Sequence, residues 1–324
     1  MKYNQLGNTG LKLSAMGFGT WGIGGGDYDY GWGDQDDHDS MATIRRAVEC
    51  GINWIDTAPV YGLGHSEKIV AKALKGHRDQ IVISTKCGFR WDANKNIFPS
   101  LKKESIRFEI EESLRRLETD VIDLYQIHKP TPEEEIEEAW VALNDLVKEG
   151  KIRYAGVSTF SLEQLKRVHA IHPVSFIQPP YNLIQNEIER DGTLDFCQRN
   201  NIGVITFSPM YMGLLSGKFT IEKIKHLPAN DSRQTEDYFK EPFVNYVLEM
   251  IERLRPIAER NHQPMPLLPI SWVLRRSEVT AAIVGARKPQ QIDQTISAVD
   301  WELSSEEIRF VDSILEDYHQ LIKN

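Results

Sequence analysis

A chain of 324 residues is long enough for one large α/β barrel or for two ordinary domains. Hydrophobic residues make up 41% and charged residues 26%, which is typical of a globular protein with a sizeable core. The formal charge of -9 argues against general nucleic-acid binding, because phosphate binding needs a basic face. Cys50, Cys87 and Cys197 form no Cys-x-x-Cys pair, and no apolar run approaches a signal segment or the ~20 residues of a membrane span. We therefore expect a cytoplasmic protein with reduced thiols, no membrane segment and no nucleic-acid partner.

Short apolar runs alternate with segments of helical period along the whole chain, and this alternation predicts the fold class. Eight strand–helix units predict a (β/α)8 TIM barrel, in which buried parallel strands are covered by a ring of helices. We expect one domain over residues 1–324. A doubly wound open sheet is the alternative if one or two strands are misassigned. The predicted strands lie near 16–19, 53–56, 81–86, 121–127, 153–158, 174–178, 203–207 and 281–284.

Several helix boundaries can be predicted from capping patterns. The segment 102–117 places its apolar residues on one stripe, as expected of a helix that faces a core. Thr131 is predicted to cap a helix over 132–149. Ser161 and Ser304 each stand three residues before a Gln or Glu, which is the capping-box pattern at a helix start.

Some segments lie outside the repeat. Residues 3–6 and 11–13 flank an Asn-Thr-Gly turn, which predicts a small β-hairpin that caps the bottom of the barrel. The segment 304–323 is predicted to be an extra C-terminal helix. Long loops are expected at 20–38 and 213–243, and the first is rich in Gly, Asp and Trp.

Polar residues stand at the carboxyl ends of three successive predicted strands. Asp56 ends the first and is followed by Tyr61, Lys86 ends the second, and His128 ends the third. Because parallel strand ends of one polarity lie on one face of a barrel, these four side chains are expected to converge. Singly, each has a structural explanation such as a buried ion pair or a core histidine. Together, a carboxylate, a phenol, an ammonium and an imidazole favour a proton donor that acts on a carbonyl.

The sequence disfavours two other kinds of site. Gly17–Gly22 matches the G-x-G-x-x-G dinucleotide pattern, but the glycine-rich continuation cannot start the helix that this fingerprint needs. We interpret the segment as a loop over a strand end. A metal site would need several ligands at strand ends, and Lys86 lies between Asp56 and His128, where it would repel a cation. No metal is therefore expected.

Ordered motifs run through nearly the whole chain. They include Ile55-Asp56-Thr57-Ala58 with Tyr61-Gly62, Ser84-Thr85-Lys86, Leu124-Tyr125-Gln126-Ile127-His128, Gly156-Val157-Ser158, Gln178-Pro179-Pro180-Tyr181-Asn182, Ser208-Pro209 with Gly213-Leu214-Leu215-Ser216-Gly217-Lys218, and Gly285-Ala286-Arg287. In these motifs the chain resembles the aldo-keto reductases, and in particular bacterial members with a shortened C-terminal substrate loop. The resemblance implies an NAD(P)H-dependent oxidoreductase that reduces aldehydes or ketones to alcohols, or the reverse.

The resemblance also implies a role for each residue at the strand ends. Tyr61 would donate the proton, and Lys86, held by Asp56, would lower the pKa of its phenol, which is near ~10 when free. His128 would orient the substrate carbonyl. Hydride would come from the nicotinamide, since no side chain can supply one.

Cofactor contacts are implied along the second half of the chain. Thr159 stands where many relatives have Asn, and Gln291 stands where many have an Arg on the 2′-phosphate. We therefore expect NADP with a moderate preference carried by Arg287, and measurable use of NAD. The residues implied to bind cofactor are Ser158, Gln178, Phe207, Ser208, Gly213, Leu214, Lys218, Gly285, Arg287, Gln291, Gln294 and Thr295.

The substrate side of the site is predicted to be aromatic, with Trp21, Trp32, Phe89 and Trp91 available from two loops. These rings suit an aldehyde, a ketone or a sugar, and the sequence does not distinguish between them. It does not indicate an oligomeric state either. Some members of the same family serve as cofactor-sensing regulatory subunits with little turnover, and this alternative function stays open at this point.

Overall fold

Parallel strands close into a barrel in the computed structural model, which describes residues 1–26 and 28–322. The barrel strands are β3 (Met16–Gly19), β4 (Trp54–Asp56), β5 (Val82–Cys87), β8 (Ile122–Ile127), β9 (Ile152–Ser158), β10 (Phe176–Gln178), β11 (Gly203–Thr206) and β12 (Ala281–Gly285). They pair in this order, and β12 pairs with β3 to close the ring. The predicted (β/α)8 barrel is thus confirmed, and each predicted strand is present with its ends shifted by at most two residues.

Helices cover the outside of the barrel, with at least one after each strand. Leu254 in α8 and Trp272 in α9 are fully buried, and the C-terminal α11 packs against α8. The helices are α1 (Asp37–Glu49), α2 (His65–Ala73), α3 (Lys103–Leu117), α4 (Ile136–Lys148), α5 (Leu162–Ile171), α6 (Thr193–Arg199), α7 (Ile221–Lys225), α8 (Phe243–Arg260), α9 (Leu267–Leu274), α10 (Pro289–Thr295) and α11 (Ser305–Leu321).

A hairpin of β1 (Tyr3–Gln5) and β2 (Lys12–Ser14) closes the amino-terminal end of the barrel, as predicted. Leu6 and Leu13 are fully buried and pack in one cluster with Trp54 and Phe176 from barrel strands. Burying each leucine contributes roughly 1.5–3 kcal/mol to stability. The amino-terminal end is therefore sealed by apolar contacts, and a site has room at the opposite end.

Two of the three predicted caps are confirmed. Ser161 and Ser304 both form capping boxes, and α11 begins at Ser305. The predicted last residue of that helix, 323, lies outside the described residues. The predicted Thr131 cap is wrong, because Pro132 is extended and a 3-10 turn over Glu133–Glu135 precedes α4. The acidic side chains of this turn contact other segments instead of capping, and the Glu135 carboxylate accepts the Leu101 amide at 2.7 Å.

A second hairpin, which the sequence analysis missed, extends from the carboxyl end of the barrel. It consists of β6 (Phe89–Trp91) and β7 (Ile97–Pro99), inserted between β5 and α3. Asp92 fixes its turn, since one carboxylate oxygen accepts the backbone amides of Asn94 and Asn96. The hairpin carries Phe89 directly from the end of β5 to the site. Within the described residues, no helix is long and apolar enough to cross a membrane.

Candidate active site

A cavity of about 720 Å³ opens at the carboxyl ends of the barrel strands. Asp56 at the end of β4, Tyr61 in the following loop and His128 just after β8 all line it. Lys86 lies beneath them on β5 and is 1% exposed. The structure therefore brings the four residues together at one end of the barrel.

Lys86 and Asp56 form a buried ion pair. The Lys86 Nζ–Asp56 Oδ1 distance is 2.6 Å, and Asp56 is only 3% exposed. Nζ also donates to the Thr57 carbonyl at 2.9 Å and to Tyr61 Oη at 3.4 Å. The three donor positions of the ammonium are thus directed to a carboxylate, a carbonyl and the phenol. Such a buried charge is tolerable only when it is paired and hydrogen-bonded.

The second oxygen of Asp56 is held by residues that the sequence analysis did not assign to it. Ser84 Oγ donates to Asp56 Oδ2 at 2.9 Å, and Gln178 Nε2 donates to the same atom at 2.8 Å. Gln126 Nε2 in turn donates to Ser84 Oγ at 3.2 Å. The available signal was a polar residue within each of three apolar strands. These bonds fix the carboxylate and hence the ammonium that it holds.

Tyr61 is held as a neutral phenol. Burial raises its pKa well above the usual 10, and the nearby Asp56 carboxylate raises it further. Burial and Asp56 outweigh the lowering expected from Lys86, which stays a prediction. The ammonium makes its short bond to Asp56, which offsets its charge, and reaches Tyr61 Oη only at 3.4 Å. The phenolic proton is therefore retained at neutral pH.

His128 packs between two aromatic rings. The Tyr61 ring lies 5.8 Å away and the Phe89 ring 5.3 Å away, each nearly perpendicular to the imidazole. Burial lowers the pKa of His128 well below 6.5, and the positive charges of Lys86 and Lys129 lower it further. The imidazole is thus neutral at physiological pH, and its N–H can donate to an oxygen in the cavity.

Most residues implied to bind cofactor line the same cavity. Ser158 donates through Oγ to the backbone oxygen of Gln178 at 2.9 Å, and this bond joins β9 to β10 at the carboxyl ends of the strands. Leu214 does not line the cavity; it is fully buried in the core. The lining members are Ser158, Gln178, Phe207, Ser208, Gly213, Lys218, Gly285, Arg287, Gln291, Gln294 and Thr295.

The backbone around the cavity includes several strained residues. Thr159, Ser208, Tyr211 and Met212 have φ of 63, 56, 42 and 51°, in the left-handed region that non-glycine residues rarely adopt. All four line the cavity. Strain of this kind costs of order 1–3 kcal/mol per residue and concentrates at ligand sites, where the surrounding structure holds it.

Two buried polar atoms in cavity-lining residues fit a polar ligand. Thr20 Oγ1 and Trp32 Nε1 have no hydrogen-bond partner in the described part of the chain, and both residues line the cavity. A buried donor without a partner costs about 1–3 kcal/mol, which a bound polar group would recover. With the strained loop at 208–213, these residues fit a nicotinamide dinucleotide.

Arg287 fastens the loop that covers the cavity. Its Nε donates to Gln35 Oε1 at 2.7 Å, its Nη1 donates to the Trp32 carbonyl at 2.8 Å, and its Nη2 donates to the Asp34 carbonyl. Gln35 Nε2 donates back to the Arg287 carbonyl at 3.0 Å. Every nitrogen of the guanidinium is thus engaged by residues 32–35.

Gln291 is also engaged, at the start of α10. Its Oε1 accepts the backbone amides of Arg287 at 2.8 Å and of Lys288 at 3.0 Å. Lys218 Nζ donates to Gln294 Oε1 at 2.6 Å, which joins the 213–218 loop to the same helix. These bonds close the end of the cavity at which the resemblance implied the adenosine of the cofactor.

One part of the cavity lining is largely aromatic. Trp21, Trp32 and Phe89 line it, and the Trp21 ring stacks on Tyr61 at 6.2 Å. Trp91 does not line this cavity. It faces a smaller cavity of about 160 Å³ behind the β6–β7 hairpin.

Charged residues that the sequence analysis missed complete the lining. Lys129, Arg233 and Glu236 all line the cavity. Arg233 is bound to Asp231 at 2.6 Å, and its guanidinium lies 5.1 Å from the Trp32 ring. Lys129, Arg233 and Glu236 lie in loops and turns, where no sequence periodicity indicates that a residue faces a site. Within residues 1–26 and 28–322, no group of three or more His, Cys, Asp or Glu could hold a metal ion.

Comparison with known proteins identifies relatives along the whole chain. A family model described as "Aldo/keto reductase family" matches residues 15–316. Aldo-keto reductase YhdN of Bacillus subtilis (strain 168) is 38% identical over 320 residues, which cover 98% of this chain and 94% of the relative. The NADH-specific methylglyoxal reductase of Escherichia coli (strain K12) is 35% identical, and the match covers 94% of this chain and 95% of the relative.

Solved structures agree with this grouping. The glycerol dehydrogenase AKR11B4 from Gluconobacter oxydans superposes with a TM-score of 0.86 at 36% identity, and the match covers 98% of this chain and 95% of that chain. Aldo-keto reductase AKR11C1 from Bacillus halodurans superposes with a TM-score of 0.81 at 28% identity, covering 97% and 96%.

Proposed function

Since this chain belongs to the aldo/keto reductase family, whose members use nicotinamide cofactors to interconvert carbonyls and alcohols, we propose that Tyr61 is its proton donor. The observation that carries the proposal is the chain of contacts from Asp56 through Lys86 to Tyr61, with distances of 2.6 and 3.4 Å. His128 lies against the Tyr61 ring and completes the site. The regulatory alternative has no observation in its favour.

Each residue of the site has its own part in the proposed reaction. The nicotinamide, when bound, supplies the hydride to the carbonyl carbon. As negative charge develops on the carbonyl oxygen, Tyr61 gives up its phenolic proton to it, because an alkoxide is a far stronger base than a phenolate. Lys86 stabilises the phenolate that this leaves, and Asp56 keeps the ammonium in place. The neutral His128 donates a hydrogen bond that sets the angle of the carbonyl.

Replacing Tyr61 with Phe tests the proposal. We expect turnover of small aldehydes to fall by about 10²–10⁴, the loss typical of a positioned proton donor, with cofactor affinity nearly unchanged. Steady-state oxidation of NADH and NADPH, together with cofactor titration by fluorescence, measures both quantities. Tyr30→Phe is the matched control, since Tyr30 also lines the cavity but is 49% exposed. Near-normal turnover by Tyr61→Phe would refute the assignment.

Small polar carbonyl compounds are the proposed substrates. One relative is named a methylglyoxal reductase and another a glycerol dehydrogenase. The mixture of aromatic rings with Lys129, Arg233 and Glu236 around the cavity supports a substrate that has both a carbonyl and polar groups. We expect a screen of purified protein to give its highest kcat/KM with 2-oxoaldehydes or hydroxyaldehydes rather than with long apolar aldehydes.

For the cofactor, we propose that NADH is used at least as well as NADPH. A 2′-phosphate needs charge-assisted hydrogen bonds, best supplied by a free guanidinium. Arg287 already donates to the side chain of Gln35 and to two backbone carbonyls, and Gln291 carries no charge. These contacts support a role for Arg287 in fastening the covering loop, in place of the selective NADPH contact expected from the sequence.

Arg287→Ala distinguishes the two roles. Release of the loop at 32–35 should weaken the binding of NADH and NADPH by similar factors, about 10-fold each if the free-energy loss equals that of one ordinary hydrogen bond. Dissociation constants for both cofactors on wild type and variant are the measurement. Lys288→Ala serves as a control, because Lys288 is the exposed cation next in the chain. A loss of NADPH affinity alone in Arg287→Ala would restore the phosphate-binding role.

A further inference from the structure

The buried carboxyl of Glu109 lies behind the active site without a part in the chemistry described so far. It belongs to α3, is 4% exposed and is directed towards the junction between β5 and β6. Glu109 Oε2 accepts the Gly88 amide at 2.9 Å, and Oε1 accepts Ser105 Oγ at 3.2 Å. A buried glutamate is rare unless it is hydrogen-bonded, so this position requires an explanation.

Gly88 is the point at which the chain leaves the barrel and enters the β6–β7 hairpin. Its φ is +104°, and a Cβ built there would lie 2.8 Å from Leu101 Cδ2. The Gly88 carbonyl accepts the Ser100 amide at 3.1 Å, which closes the base of the hairpin. The backbone at Gly88 therefore has little freedom once Glu109 holds its amide.

Phe89, the next residue, transmits this position to the active site. Its ring lies edge-on to His128, with centroids 5.3 Å apart and planes at 86°. It also lines both the main cavity and the smaller cavity, and Glu109 lines the smaller one too. A shift of Gly88 would move Phe89 and with it one of the two rings that enclose the imidazole.

We propose that Glu109 is a positioning residue for carbonyl reduction, which holds Phe89 against His128 through the Gly88 amide. The inference rests on the proposed function of His128. It predicts an effect on the substrate end of the site only, since none of these contacts involves the cofactor-side residues. Misplacement of a reacting group by about 1 Å can cost up to ~10²-fold in rate.

Three variants separate positioning from general stability. Glu109→Ala removes the acceptor, whereas Glu109→Gln keeps an amide oxygen that can accept the Gly88 amide. Glu104→Ala is the matched control, because Glu104 is an exposed glutamate on the same helix. We expect Glu109→Ala to lose about 10- to 100-fold in kcat/KM for the carbonyl substrate with an unchanged Kd for NADH, and Glu109→Gln to recover to within about 3-fold of wild type.

A direct measurement on His128 keeps this test independent of the proposed reaction. The imidazole resonances of His128 in NMR spectra should shift in Glu109→Ala and not in Glu104→Ala, because the neighbouring Phe89 ring moves. The proposal would be overturned if Glu109→Ala had the same His128 resonances and the same kcat/KM as Glu104→Ala. It would also be overturned if Glu109→Ala and Glu109→Gln lost kcat/KM equally. If the alanine variant does not fold, Glu109→Asp, whose carboxylate is one methylene shorter, replaces it with the same expectations. An inactive wild type whose His128 resonances still respond would refute the proposed function, and would leave supported only that Glu109 holds Phe89 against His128.

Discussion

Lys86 is the residue on which stability and chemistry depend together. Its ammonium is buried, and its only charged hydrogen-bond partner among the described residues is Asp56. Burial lowers the pKa of Lys86, and the Asp56 carboxylate raises it again, so the charge is retained at the cost of desolvation. Removing one member of such a pair is more harmful than removing both, because the remaining charge has lost its partner.

Lys86→Met should therefore abolish turnover and destabilise the fold. We expect a loss of about 3–5 kcal/mol in the free energy of unfolding, the amount typical of a broken buried pair. Urea titration followed by circular dichroism measures the stability. The double variant Asp56→Asn with Lys86→Met should recover part of the stability but none of the activity. A single variant as stable as wild type would show that Asp56 does not need this partner.

Strand position predicted which side chains converge at the cavity, and it predicted their hydrogen-bond partners much less well. Asp56, Lys86 and His128 lie at strand ends whose direction follows from the barrel, so their convergence could be expected from the order of strands and helices alone. The role of Arg287 could not. Its partners lie 252 to 255 positions away along the chain and are in part backbone carbonyls, which no residue type reveals.

At the level of elements, the predictions were accurate where local chemistry decides and inaccurate where contacts between elements decide. The capping boxes at Ser161 and Ser304 depend on residues three positions apart, and both are present. The start of α4 depends on other segments, because Glu135 binds Leu101 and Glu133 binds Arg167. These longer-range bonds override the local helix signal at Thr131.

The β6–β7 hairpin illustrates the same limit. Its strands have three residues each and are partly exposed, which is shorter than the roughly four to eight residues over which alternation predicts a strand. The hairpin forms because its turn is fixed by Asp92 and its base by Ser100. It nevertheless carries Phe89 to His128, so a segment without a sequence signal contributes directly to the site.

At the scale of the whole molecule, the titratable groups of Glu109 and His128 give the stability opposite pH dependences. Burial raises the pKa of Glu109 from 4.5 to about 8, so the folded chain keeps a proton that the unfolded chain has already lost. Its contribution to stability is present below about pH 4.5 and is lost as the pH rises to about 8. His128 has a lowered pKa, so it reduces stability only as the pH falls below 6.5.

Above pH 6.5, only Glu109 of these two groups still makes the free energy of unfolding depend on pH. Its effect can therefore be measured alone in this pH range. From pH 6.5 to 8, wild type should lose about 2 kcal/mol of unfolding free energy, since each pH unit between the two pKa values of a group costs ~1.36 kcal/mol. Cys87 and Tyr125 interact electrostatically with Glu109. Their pKa values are raised well above 9 and 10, so neither group titrates between pH 6.5 and 8.

Glu109→Gln should make the stability almost independent of pH over this window, because the amide keeps the hydrogen bonds but has no proton to lose. Urea titrations at half-unit pH steps measure the slope for each protein. Glu104→Gln, on the exposed side of the same helix, should keep the wild-type slope. A Glu109→Gln slope equal to that of wild type would mean that the carboxyl is ionised throughout, and that its hydrogen bonds to Gly88 and Ser105 outweigh its burial.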